Sequence, residues 1–447
     1  MPRLLPALIL LPALALAAEN KAPPLDRPEK ISYLDNGVIR LGVNLDLGGA
    51  ITHLSRSDKP DQNVINSFDW GRQVQMSHYA GPIPFEPGGK KPAEHWNTLG
   101  WNPIQSGDCF GHRSKVVEHV NDGKRLRVKC VPMQWPLDNE PGECTFEWEI
   151  SLDGNASNVR ATLVNARTDK TPYPGRHQEL PAVYTNAPWH RLMTYSGDKP
   201  FTNGELTHQP PKFPWGTWRA TERWTALVDD GGFGVGLISP ETFRFDGGFA
   251  GKTGKGGAKD NPTGYVTAVS HLVLDHDITH SFRFTLVLGT IEEIRKRAYE
   301  LAPRPAPPDW RFEDSRHYWY YVNATDAGWP IKGELRIDLS KKRGPMLASP
   351  TTFFAAVEAP KLYIECAAAV ANPNARVFWA RHDRPRMADD MSMAFKLPAN
   401  DGKFHTVAVE VGKSEQWTGH VTDLRVDPGP GGVKGDEVRI KRIWLGK

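Results

Sequence analysis

From residue 31 onward the sequence is cut into short alternating apolar and polar runs, each closed within roughly ten residues by a turn signal. The stretch ISYLDNGVIRLGVNLDLGGAITHLSR sets the pattern, with Asn36-Gly37 and Gly48-Gly49 between strand-length segments. Similar runs recur at 125–131, 145–152, 158–164, 224–228, 234–238, 265–274 and 281–288. A helix needs apolar residues three and four apart over several turns, and 41 glycines and 38 prolines leave little room for that. One segment qualifies. Thr290-Ile291-Glu292-Glu293 is a capping box, and Ile291, Ile294, Ala298 and Leu301 follow at helical spacing until Pro303. The expected fold class is all-β, with this one notable helix.

The segment PRPAPPDW then supplies a stiff proline-rich connector at 303–309, the clearest boundary in the chain. It separates a unit at 31–302 from one at 310–447, and few contacts are expected to cross it. Strand candidates beyond it lie at 361–368, 375–380, 392–397, 405–411, 421–426 and 437–444, a number that suits a small antiparallel sandwich or jelly roll. At the other end, residues 1–18 have the order of a secretory signal: Arg3, an apolar run, then Ala13, Ala15, Ala17 and Ala18. The run is shorter than the ~20 apolar residues of a spanning helix. Cleavage, export to the periplasm or beyond, and no membrane attachment afterwards are therefore expected, with 19–30 as a loose leader.

A formal net charge of +3 gives no nucleic-acid footprint. The four cysteines include no C-x-x-C pair, and no His/Cys group has zinc spacing, so neither a metal nor a cofactor is expected. Cys130 and Cys144 fall in two runs that read as a hairpin; spacing leaves a bridge between them open. His271, His276 and His280 are too irregularly spaced for a metal set. Gly232-Phe233-Gly234-Val235-Gly236 lacks the helix that a dinucleotide fingerprint needs, and reads as a hairpin turning at 229–232. GGFAGKTGKGG has Asp246 where a phosphate loop needs glycine.

Fifteen tryptophans are unusual, and each either fills a core or offers a flat face to a sugar ring. The richest chemistry lies at 71–114, in GRQVQMSHYAGP and EHWNTLGWNPIQSGDCFGHRS. Planar amides and carboxylates there can bond adjacent hydroxyls, and indoles stack on C–H faces. Arg72, Gln75, His78, Trp96, Trp101, Asn102 and Gln105 are the candidate substrate-binding residues. The alternative is a long loop pinned by its own hydrogen bonds. A second cluster, YPGRHQELPAVYTNAPWHR, puts His177 and Glu179 on one strand face, where their ordinary pKa values would let them divide acid and base roles. The competing readings are a surface ion pair of Arg176 with Glu179, or a histidine satisfied by backbone. Glu222 and Trp224 alternate in TERWTALVDD, and would add a carboxylate and a ring to the same cleft.

The opening NGVIRLGVNLDLGGAITHLSR resembles the galactose-mutarotase-like β-supersandwich, which has the same order of strand, Asn-Gly, strand and Gly-Gly. The end of the chain, through Trp417, Gly419, Leu424-Arg425 and Asp427-Pro428, resembles a jelly roll of the galactose-binding or carbohydrate-binding-module type. The resemblance implies a sugar-directed protein. Its first member groups include epimerases and domains of glycoside hydrolases and polysaccharide lyases. Mutarotases use a histidine acid and a glutamate base, but their motifs do not map here residue by residue, so His177 and Glu179 rest on local chemistry. The expectation is an exported protein that binds a poly- or oligosaccharide and cleaves it as a glycoside hydrolase does. Cleavage would use His177, Glu179 and Glu222, with Asp108 as a further carboxylate. A polysaccharide lyase using Arg72, His78, Tyr79 and Tyr184, a non-catalytic glycan binder and a mutarotase are the alternatives.

Overall fold

The computed structural model of the protein describes residues 25–211, 213 and 215–447; the signal expected at 1–18 lies outside them, as does the first half of the leader. The described residues are almost wholly β, in four antiparallel sheets with one α-helix, Ile291–Leu301. The all-β expectation holds.

Residues 31–290 build a ten-stranded and a nine-stranded sheet. Their inner faces share one core, in which Leu41, Val43, Ile51 and Val74 of the first meet Phe146, Trp148, Phe284 and Leu286 of the second. Alternation decides which side chains enter it. In the strand Arg125–Val131, Leu126, Val128 and Cys130 are buried while the alternating Arg125, Arg127 and Lys129 point outward. Gly48 adopts left-handed backbone (φ +59°), and a Cβ there would lie 1.9 Å from the Gln105 carbonyl oxygen. That turn is glycine because the 71–114 segment packs directly on it.

The strands Trp224–Val228 and Phe233–Ile238 form the expected hairpin, closed by the Gly232 N–H on the Asp229 carbonyl. The helix begins at the capping box: Thr290 Oγ1 accepts from the Glu293 N–H, and the Glu293 carboxylate accepts from the Thr290 N–H at 2.8 Å. It lies on the sheet where Gly236 leaves room for Ile294, which a Cβ would approach to 2.3 Å. Cys130 and Cys144 are buried thiols with no disulfide between them.

Residues 309–446 form two six-stranded sheets around a second core that includes Trp319, Ile337, Trp379 and Val421. Substantial polar contacts join the two halves. Arg316, only 3% exposed, reaches Asp275 across the junction at 2.7 Å and Asp326 on its own side. The Tyr318 hydroxyl donates to Glu241 at 2.6 Å, and Arg219 pairs with Asp423 at 2.5 Å. This is more than a proline-rich connector led us to expect.

Candidate functional site

The outer face of the ten-stranded sheet carries polar and aromatic side chains where its inner face is apolar. The strand Arg176–Asn186 pairs with Thr263–Leu272, setting His177 opposite His271 and Glu179 opposite Val269. The register then slips at Leu180-Pro181, so that Ala182 and Tyr184 face Thr267 and Tyr265. Proline has no N–H for the ladder and is accommodated at a bulge. The slip keeps His177, Glu179 and Tyr184 on one face, while Leu180 and Val183 go to the core. One strand further, in Arg244–Ala250, Asp246 lies opposite Thr267 and joins that face.

Here the side chains interlock. His177 Nε2 lies 3.0 Å from Asp246 Oδ2. The Tyr265 hydroxyl donates to the Glu179 carboxylate in a very short hydrogen bond. Tyr184 and Tyr265 have ring centres 4.6 Å apart, and Trp215 continues the row 5.0 Å from Tyr265. At the other end His271 meets His177 edge-on at 5.6 Å and stacks at 4.5 Å on Tyr320 from the C-terminal half. Burial pushes the Glu179 carboxyl above its usual range; the Tyr265 bond and the nearby imidazole oppose this without reversing it. Burial likewise raises Tyr265 and Tyr184, the Glu179 charge adding to both. His271 is pushed down to about 3, chiefly by burial. The face therefore sets a carboxyl raised above its usual range beside an imidazole–carboxylate pair, the two kinds of group that proton transfer uses.

His177 and Glu179 are brought together as the alternation predicts, and the ion pair of Arg176 with Glu179 does not form. Glu222 and Trp224 go elsewhere. Both are fully buried against the helix, where the Glu222 carboxylate accepts from Arg295, Tyr299, the Trp224 indole and the Phe201 N–H. No lone pair is left for a substrate, and the residue is a structural anchor.

The 71–114 segment is pinned by its own bonds, and its binding assignments are corrected. Gln75 donates to the Trp70 and Arg72 carbonyls and accepts from Ser106. Gln105 spans Met76 N–H and the Gly48 carbonyl, and Asn102 donates to Ser77 and the His78 carbonyl. Arg72 is buried against Asp69 and Asn261. Trp101 lies in the main core, and Trp96 packs on Trp135 in a smaller one. His78 is fully buried, its ring 5.2 Å from Phe146. Asp108, the reserve carboxylate, accepts from three backbone N–H groups and lies 2.9 Å from His112 Nδ1. These residues are polar because a long buried loop must satisfy its own backbone.

Sequence reasoning missed Asp246, Tyr265 and Trp215. A signal existed for the first two. Asp246 is a carboxylate inside a strand-like run, and Tyr265 alternates with Thr267 and His271 on one face. Neither stands out until the strands are paired.

No family model matches the sequence, and no curated protein does. Solved structures with a similar fold include a galactose mutarotase-like protein from Lactobacillus casei, at 11% identity and a TM-score of 0.38, spanning 58% of this chain and all of that one. Another such protein, from Clostridium acetobutylicum, is 10% identical at a TM-score of 0.37, over 61% of this chain and 98% of its own. A 4-alpha-glucanotransferase from Thermococcus litoralis is 11% identical at 0.30, over 59% of this chain and 40% of its own.

Proposed function

We propose that the outer face of the ten-stranded sheet is the active site of a carbohydrate-directed enzyme working by proton transfer. The observation that carries this is the juxtaposition of Glu179, held toward its protonated form by burial, with the His177–Asp246 pair 3.0 Å across. Glycoside cleavage needs two carboxyl groups in different environments, one donating a proton to the leaving oxygen and one acting on the other side. Glu179 takes the acid role and Asp246 the second, with His177 holding the Asp246 charge. Trp215, the half-buried end of a row whose other rings, Tyr184 and Tyr265, are buried, offers the apolar face on which a sugar ring stacks. The C-terminal half contributes Tyr320 at the edge of this face and acts as an accessory sugar-binding module. The substrate is a poly- or oligosaccharide met outside the cytoplasm, the signal segment being removed; amino-terminal sequencing of the mature protein should then begin near Glu19.

The experiment is turnover on pooled glycans, read as new reducing ends, by the parent, Glu179→Gln and Asp246→Asn. Each substitution is expected to lower turnover by ~100-fold or more at unchanged fold. Near-parental rates in both variants on a substrate the parent cleaves would defeat the assignment. The gathering of Tyr184 and Tyr265 on Glu179 favours β-elimination as a second reading, with a tyrosine hydroxyl in the proton relay. Elimination leaves a C=C bond, so an ultraviolet absorbance gain in the same assay selects it.

A further inference from the structure

The nine-stranded sheet has an outward feature that the site above does not use: a groove of about 680 Å³ across its exposed face. Four arginines line it, Arg125, Arg127, Arg160 and Arg283, against the carboxylates Asp122 and Glu149. Arg127 is taken up by Glu147 and Glu118 at 2.8 and 3.0 Å. Asp122 is taken up by the Lys124 and Arg125 backbone N–H groups of its turn. Among the described residues no carboxylate comes within ion-pair distance of the Arg125, Arg160 or Arg283 guanidinium groups, although Glu149 stands opposite Arg160 on the neighbouring strand and Glu241 accepts from the Arg283 backbone N–H. Two of these stand directly opposite each other, because the register pairs Arg160 with Arg283. Like charges so placed destabilise a sheet, and the strands Ala156–Asn165 and Thr279–Thr290 retain them in a groove rather than on a convex surface.

We propose that this groove binds the carboxylates of an acidic polysaccharide, a uronate chain lying across the strands. The guanidinium fork matches a carboxylate in bidentate fashion. Arg125, Arg160 and Arg283 are spread over four consecutive strands, about 5 Å from one strand to the next, which suits charges repeated along a polymer better than one small anion. Exposed Val120 and Leu301 at the two ends provide apolar rims. The choice of a glycan among polyanions rests on the carbohydrate reading; the groove itself does not.

The test is calorimetric titration of the full chain with an oligogalacturonate, a neutral malto-oligosaccharide, a heparin-derived oligosaccharide and a single-stranded oligonucleotide, at low and high salt. The oligogalacturonate is expected to bind and to weaken as salt rises, while the neutral chain does not bind. The double variant Arg160→Gln with Arg283→Gln is expected to bind it at least tenfold more weakly, with a melting temperature equal to or above the parent's as the repulsion is relieved. Unchanged affinity in that variant overturns the proposal. So does a parent that binds no oligogalacturonate, or that binds the sulfated chain or the oligonucleotide in its place. Glu179→Gln should keep groove binding intact, so loss of turnover with binding retained, or the reverse, tells which of the two sites has failed.

Discussion

His78 is fully buried in the main core and His280 half-buried beside it, with ring centres 6.3 Å apart, between Phe146, Phe282 and Tyr318. Both nitrogens of His78 and Nε2 of His280 lack a hydrogen-bond partner. Burial pushes His280 down to about 4, and pushes His78 well below its usual value with repulsion from His280 adding to the effect. Unfolded histidine titrates near 6.5, so below that pH the unfolded chain binds protons that the folded chain refuses. Stability is therefore full above about pH 6.5 and falls as the pH drops toward the folded values. At ~1.4 kcal/mol per pH unit, moving from about pH 6.5 to about pH 5 removes up to roughly 2 kcal/mol through His280, and His78 acts in the same direction. Urea unfolding followed by tryptophan fluorescence, at about pH 7.5 and about pH 5, measures the loss in the parent and in the double variant His78→Leu with His280→Leu. The variant should lose less than the parent on acidification, by roughly 2 kcal/mol or more. Equal losses would refute the reasoning, and would mean that the rings are reached by water or paired in their charged form.

Glu222→Gln should destabilise the folded chain by about 3 kcal/mol, because it leaves Arg295 buried without its anion, while turnover per folded molecule stays the same. Thermal melts paired with activity assays check this, and a selective loss of turnover would restore Glu222 to the site. Arg316→Ala should cost about 3–5 kcal/mol by stranding Asp275 and Asp326, and should speed proteolysis within 303–309; an unchanged digestion pattern would mean that the pair does not hold the halves together. Trp215→Ala should weaken saccharide binding by about 1–3 kcal/mol with little change in melting temperature. Trp101→Ala should do the opposite, since its ring is core, and titration together with melts tells the two apart.

The local grammar of the chain was legible throughout. Asn36-Gly37, the Gly48-Gly49 turn, the hairpin at 224–238 and the capping box at Thr290 are nearest-neighbour chemistry, and they appear where the residues place them. So does the shared face of His177 and Glu179, because strand alternation has a period of two. What failed was the inference from residue type to exposure in the 71–114 segment and at Glu222 and Trp224. Gln75, Asn102 and Gln105 have the side chains of a sugar site, and Trp96 and Trp101 the rings, yet a long inward-folded loop uses such groups to pay its own backbone's hydrogen bonds. Glu222 was drawn off by Arg295 and Tyr299, more than seventy residues away in sequence.

The sequence by itself determined the all-β class, the turns, the lone helix and the parity of the strand that carries His177 and Glu179, since each depends on residues within a few positions of one another. Only the tertiary structure decided that Asp246 and Tyr265 meet that pair, 69 and 86 residues distant, and that Arg160 faces Arg283. Strand order and register are long-range properties, set by which faces of two large sheets bury best against each other.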